Sequence, residues 1–357
     1  MLSGCTIRPY RIGFRIGQGA FGEIYAARSS DDNHFCAIKI EPFTQAKRIL
    51  FLEAKIMKKL NPNPYFPRFE MFGRTQNNSW LAMELLGPSL SSVVKQLPNG
   101  KLSLSTGLRV VDSILKGLQF FHEKGYIHRD VKPSNILLRR SNEYPIAIID
   151  FGLSRLFMDK KTKKPLLPRV NPGFRGTAVF ASPNAHMHMD LGRRDDLISW
   201  FYLILDLMVE PLPWRKLENR AEIFYMKRRT NISEMASKIS PKLIDVWSQI
   251  NSLAFEDCPN YDSIHQIILE IMDSNSVSPS DKWDWDPGIL QMNSKEDLEM
   301  VKRLDGSSQS SINSIHEENE CPPETPFILP SIDPNPLLAP PATKAEAYND
   351  EKCCCMI

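Results

Sequence analysis

Four short stretches of this 357-residue chain carry side chains able to act together on a phosphate: GQGAFG at 17–22, AIK at 37–39, HRDVKPSN at 128–135 and DFG at 150–152. The first sets Gly17, Gly19 and Gly22 in a G-x-G-x-x-G pattern. Without Cβ atoms, backbone there can approach phosphate oxygens closely. The pattern serves two unrelated folds and does not choose between them alone. Lys39 supplies a point charge for the α- and β-phosphates, and Glu53 is the carboxylate suited to hold it. Asn135 and Asp150 offer oxygen ligands to Mg2+, a hard cation. Asp130 is suited to orient a hydroxyl and accept its proton, and Lys132 to reach the phosphoryl group. Transfer of a γ-phosphoryl group spreads negative charge over its oxygens, so positioning and electrostatics dominate the catalysis. Taken singly, each residue is ordinary: a loop carboxylate, a strand lysine, a structural histidine. Their order along one chain is what points to phosphoryl transfer with ATP and Mg2+ as cofactors.

The elements around these residues weigh against the other user of the glycine pattern. YRIGFRIG leads into the glycines, EIYAARS leaves them, and FCAIKIE follows a polar turn, all with strand-like alternation. A dinucleotide-binding unit needs a helix directly after the glycines. Ile24 and Tyr25 favour a strand instead. Residues 44–60 predict a helix whose apolar stripe is Ile49, Leu52, Ile56 and Leu60, with Glu53 on its flank. Residues 80–86 read as a buried strand, and 103–124 as a long helix with Leu108, Val111, Leu115, Leu118 and Phe121 as its stripe. Two short strands, ILL and IAIID, bracket the loop before DFG, and the pattern from 190 to about 273 is helical. The apolar run 197–209 contains Asp206 and is too short for a bilayer, so it reads as a buried core helix.

Charge divides the chain. Residues 287–357 hold five Lys/Arg against twelve Asp/Glu, whereas the preceding residues hold 39 against 30. A basic body favours anionic ligands. The acidic Ser/Pro-rich tail, 287–357, cannot bury enough surface to offset its ordering entropy and is expected to be disordered. Of the seven Cys, Cys5, Cys36, Cys258 and Cys321 are scattered, so their spacing indicates neither a zinc site nor a disulfide framework. A reducing, cytoplasmic setting is expected, with membrane or nuclear association as alternatives. Cys353, Cys354 and Cys355 near the C-terminus are candidate acylation sites for peripheral membrane attachment, although CCMI fits a prenylation box only loosely.

The ordered motifs resemble the eukaryotic protein kinases. MELLGPSL at 83–90, GFRGTAVFASPNAH at 173–186 and RRDDLISWFYLILDLMVEPLPW at 193–214 are similar to the casein kinase I superfamily. RVNPGFRGT, PLPWRKL and DKWDWD look most like its tau-tubulin kinase branch. The resemblance implies an α+β, two-lobed fold: an extension at 1–9, then a kinase domain at 10–286 with its β-rich lobe at about 10–85 and its helical lobe at about 86–286. It further implies an adenine slot lined by Ile16, Ile24, Ala37, Leu137 and Ile149, with Met83 at its back and Glu84, Leu85 and Leu86 as hinge. Thr177 would join Asp130, Lys132 and Asn135 in the catalytic set, and Asp196 would anchor its helix to the catalytic loop. Lys132 in this motif goes with Ser/Thr rather than Tyr as acceptor.

One position departs from the resemblance. Relatives carry an Arg in GT-x-R-Y-A-S that helps hold substrates already phosphorylated, and this chain has Val179 there. Lys227, Arg228 and Arg229, and the run 155–169 with six Lys/Arg and one Asp, are the cations able to compensate. The expected partners are therefore protein substrates, acidic, phosphorylated or cytoskeletal, met by a monomer. Nucleic acid is not expected, because the cations are not interleaved with aromatics. A kinase-fold scaffold and a membrane-tethered adaptor are the alternatives, and the intact Lys39, Glu53, Asp130, Asn135 and Asp150 weigh against both.

Overall fold

The computed structural model describes residues 6–19, 22–43, 49–139 and 143–285. The tail and its three terminal cysteines lie outside them. Strands β1 (Thr6–Ile7), β2 (Tyr10–Gly19), β3 (Gly22–Ser29), β4 (Phe35–Pro42), β5 (Phe69–Arg74) and β6 (Asn78–Glu84) form one antiparallel sheet in the order β1-β2-β3-β4-β6-β5. This β-rich lobe carries one helix, α1 (Ile49–Leu60). The rest is mainly helical: α2 (Leu90–Gln96), α3 (Leu104–Glu123), α4 (Pro183–His186), α5 (Arg193–Met208), α6 (Arg220–Arg229), α7 (Ile232–Ser237), α8 (Leu243–Asn251) and α9 (Tyr261–Ser274). Short strands β7 (Tyr126–Ile127), β8 (Ile136–Leu138), β9 (Ile146–Ile148) and β10 (Arg155–Leu156) pair as β7 with β10 and β8 with β9.

Inward-facing residues of β1–β4 and β6, among them Tyr10, Ile12, Tyr25, Ile38 and Trp80, fill the small lobe's core. Two irregularities in the β2–β3 pairing, between Ile12 and Gly17, bend the pair just before the glycines. Gly22 has a steric reason to be glycine: a Cβ there would stand 2.1 Å from the Ile40 carbonyl oxygen on β4.

Helix α1 is rotated relative to its predicted stripe. Leu50, Glu53, Ala54, Ile56, Met57 and Leu60 are buried, and Leu52 is exposed. Glu53 is therefore on the inner face, not a carboxylate flanking it in water. The helix turns that way because β4 presents Lys39 to Glu53, a contact that hydrophobic spacing does not register.

Helix α3 buries its whole expected stripe and starts at Ser103, whose hydroxyl accepts from the Thr106 N–H. A carboxylate strengthens that end: Asp284 accepts from Ser103 N, and Asp284 N donates to the Thr106 hydroxyl. Arg109 on α3 lies 3.7 Å over the Trp283 ring, which stacks on Trp285. The DKWDW segment is thus packed on the large lobe. Helix α5 is buried nearly all round, as an apolar helix in the centre of a large lobe must be. Among the described residues, no helix is long and apolar enough to cross a membrane.

Candidate active site

Lys39 on β4 and Glu53 on α1 form a buried ion pair, with Lys39 Nζ 2.6 Å from Glu53 Oε2. Asp150 Oδ1 is 3.9 Å from the same nitrogen. Burial acts against the lysine's charge, but Glu53 and then Asp150 outweigh it, and the Lys39 pKa lies above its ordinary value. The Asp150 side chain is 39% exposed. It is therefore open to a ligand on one side while facing the ion pair on the other.

A second cluster sits on the segment between β7 and β8. Asp130 accepts through Oδ1 from the Thr177 hydroxyl at 2.8 Å, and its Oδ2 is 2.7 Å from Lys132 Nζ. Lys132 also donates to the Thr177 hydroxyl oxygen at 2.8 Å. Asn135 Nδ2 donates to the Asp130 carbonyl at 2.9 Å and to Oδ2 at 3.2 Å. That commits the amide nitrogen and leaves the amide oxygen as its ligand atom. Asp130, Lys132, Asn135 and Thr177 thus meet at one carboxylate.

Strained backbone shapes the loop. Arg129 has φ 69° and Asp150 φ 67°, left-handed conformations that ordinary residues rarely adopt. Both are held by buried anchors. Asp196, near the start of α5, accepts from His128 N and Arg129 N, each at 2.7 Å, and is 2.8 Å from His122 Nε2. Phe151 stacks on Phe121 of α3 at 5.6 Å and packs edge-on to His128. Gly176 has φ 96°, and a Cβ there would come within 2.5 Å of the Arg129 carbonyl oxygen. Only glycine lets the Thr177 segment lie this close to the loop.

The nucleotide-slot candidates fall together by register. Gly17 pairs with Ile24 across β2–β3, with Ile24 opposite Lys39, and Ala37 pairs with Met83 across β4–β6. Glu84, Leu85 and Leu86 follow directly, and Leu137 on β8 bridges to Ser89. Ile24, Met83, Leu86, Leu137 and Ile149 are partly buried, Ala37 is buried and Ile16 is exposed. Gly19 ends β2, and positions 20 and 21 lie outside the described residues.

Residues 10–276 match the family described as the protein kinase domain. The chain belongs to the protein kinase family. A protein of Dictyostelium discoideum described as a "Probable serine/threonine-protein kinase" is 39% identical over 275 residues, covering 76% of this kinase's chain. The alignment takes in 55% of that relative, so this chain spans little more than half of its length.

Several cations of the kinase lie elsewhere than their sequence suggests. Lys227 is not part of an open anion site. It is buried on α6, donates to the carbonyls of Ala178 (2.7 Å) and Ala181, and lies beneath the Tyr202 and Trp214 rings. Burial drives its pKa well down. Of the three candidates only Arg228 and Arg229 are exposed, and Arg229 bonds the Tyr225 hydroxyl.

The run 155–169 is divided too. Arg155 and Arg169 both pair with buried Asp190, Arg169 through Nη2 at 2.9 Å and its backbone N–H at 2.8 Å. Although burial opposes it, these bonds hold Asp190 well below the usual carboxylate range. Arg129 nearby is partly buried and lowered to about 10, by burial first and then by Arg169 and Arg155. Lys160, Lys161 and Lys164 remain on the surface.

Sequence reasoning missed Asp190, the Lys227 clamp and Arg215. The last lines a cavity of about 280 Å³ beside Lys132 and Thr177, together with Ser91, Ser134, Val179 and Phe180. It is half-exposed and paired with buried Asp206. The W-R pair after α5 was the available signal for it.

Proposed function

We propose that this kinase is a serine/threonine protein kinase of the casein kinase I type, nearest the tau-tubulin branch, that moves the ATP γ-phosphoryl group to protein hydroxyls. The observation that carries the reading is the Asp130–Thr177–Lys132 triangle together with a formed Lys39–Glu53 pair that has Asp150 beside it, the two linked where Ile149 N, next to Asp150, donates to the Asn135 carbonyl at 2.9 Å. A scaffold has no chemical use for both.

The residues present fit both cofactors. Asp150 and the Asn135 amide oxygen are hard donors of the kind Mg2+ takes, and the glycine turn and apolar slot suit a nucleotide. Bound Mg2+ would neutralise phosphate charge and polarise the group being moved. The chain's own groups supply the rest. Asp130, held in one rotamer by Thr177 and Asn135, points its carboxylate at the acceptor hydroxyl and takes its proton. Lys132 neutralises charge on the phosphoryl oxygens, and Lys39, kept cationic by Glu53, fixes the phosphates behind it. The cavity beside Thr177 receives the acceptor peptide.

Acidic or phosphorylated cytoskeletal proteins are the substrate class this reading favours. With Val179 in place of the arginine, Arg215 and Lys132 are the cations that line the cavity on the acceptor side. The test is phosphate transfer from labelled ATP by the purified full chain to casein, tau and primed or unprimed peptides, with Asp130→Asn and Lys39→Arg as controls. Transfer lost in both controls supports the reading. ATP binding without transfer to any substrate sinks it.

A further inference from the structure

The outer end of the small lobe holds a group of side chains that phosphoryl transfer does not use. His34 closes the turn before β4, Cys36 follows it on β4, and Glu70 stands on β5. A ring nitrogen of His34, the Cys36 sulfur and a Glu70 oxygen all lie within 4.8 Å of one another. His34 Nε2 is 3.0 Å from each Glu70 oxygen, and Nδ1 is 2.5 Å from Asp32 Oδ1.

We propose that His34, Cys36 and Glu70 bind one zinc-type divalent ion, with Asp32 orienting His34 from behind. The donor set is the first argument. Imidazole, thiolate and carboxylate together suit Zn2+, whereas Mg2+ and Ca2+ want oxygen alone. The distances are the second. Zinc bonds of about 2.0–2.3 Å in a tetrahedron set ligand atoms roughly 3.3–3.7 Å apart, so the present spacing closes with small side-chain rotations.

The third argument is the carboxylate on the other imidazole nitrogen. Asp32 accepts a hydrogen bond from Nδ1, and a bound ion would displace the proton that Nε2 directs at Glu70, giving the arrangement that metal-bound histidines ordinarily have. Cys36 is fully buried and seals the inner side, while the His34 side chain is one-third exposed and gives entry. Three protein ligands leave a fourth position for water. Arg68, a competing cation 3.2 Å from Glu70, is 60% exposed and free to swing outward. The buried Tyr10 hydroxyl donates to Glu70 Oε2 at 3.4 Å and steadies it. Binding would tie the β3–β4 turn to β5 across the end of β6, where Glu84 is the strand partner of Cys36.

The test uses the full chain with Cys353, Cys354 and Cys355 changed to Ser, which removes a rival thiol cluster. Zn2+ affinity is measured by competition with a chromophoric chelator, and Co2+ serves as the spectroscopic probe. The expected result is one ion per chain, a thiolate-to-cobalt charge-transfer band and a Zn2+-dependent rise in melting temperature that Mg2+ does not reproduce. His34→Ala and Cys36→Ser should each lower affinity by more than about 100-fold, and Asp32→Asn by about 10–100-fold. His34 is in a surface turn, so His34→Ala and Glu70→Gln keep the test open should Cys36→Ser misfold. Binding that His34→Ala leaves unchanged, or no Zn2+ binding by the parent chain, overturns the proposal.

Discussion

Two lysines of this kinase are almost equally buried and chemically opposite. Lys39 is 8% exposed and Lys227 is 4% exposed. Lys39 meets a carboxylate at 2.6 Å, with a second at 3.9 Å, and its pKa is raised. Lys227 meets two carbonyls, two aromatic rings and His186, with no carboxylate in contact among the described residues, and its pKa is driven well down. Burial costs both of them charge, and what differs is whether a full negative charge offsets the loss. The first lysine stays a cation suited to phosphate. The second is a brace that holds the 178–181 turn, which contains Val179, against α6.

The sharpest break in that comparison is kinetic. Lys39→Met should lower kcat by about 100-fold or more, as removing a preorganised electrostatic contact does, and steady-state transfer assays would read it. Asp130→Asn should fall in the same range, about 100–10,000-fold. Lys227→Met should leave ATP affinity unchanged and act through the substrate side. A loss of ATP binding on that substitution would erase the distinction.

Stability separates the pair next. Lys39→Met strands a buried carboxylate and should cost about 3–5 kcal/mol, whereas Lys39→Met with Glu53→Met should recover most of it without recovering activity. Urea unfolding of the three chains measures both steps. Lys227→Met leaves the Ala178 and Ala181 carbonyls without that donor and should cost about 1–3 kcal/mol. A rise in KM for peptide should accompany it, if the brace shapes the acceptor cavity.

The smallest effects are in pH. A lysine lowered in the folded state binds its proton more readily when unfolded, so below 10.5 Lys227 makes stability rise with pH. A lysine raised in the folded state does the reverse, so above 10.5 Lys39 makes stability fall. Lys227→Met should flatten the rising limb and leave the falling one. His186, which touches Lys227 and is lowered to about 4 by burial and then by Lys227, adds an acid limb. Stability should drop as pH falls from 6.5 toward 4, and His186→Gln should remove that drop. Melting temperatures across pH, wild type against each variant, decide all three.

Much of this architecture was legible in residue order. Alternation in 10–41 corresponds to β2–β4, and the apolar stripe of α3 is buried as its spacing requires. The triangle around Asp130 joins residues two apart in the loop to one 47 positions away. No spacing rule reaches that far, and motif resemblance alone placed Thr177 there. The rotation of α1 escaped periodicity because Glu53 is polar yet belongs to the buried face. The basic runs misled in a different way. Arg155, Arg169 and Lys227 look like solvated cations beside their neighbours, but Asp190 and the Ala178 and Ala181 carbonyls lie far along the chain.

The kinds of chemistry available to this chain, its elements and their order were written in local composition and spacing. Those are properties of near neighbours, set by periodicity, turn residues and the types of side chain present. Which charged groups stay free, which are consumed by a partner, and which three ligands converge at the edge of the sheet depended on folding. A side chain's charge and reach depend on what stands within a few ångströms of it, and in a folded chain those neighbours come from distant positions.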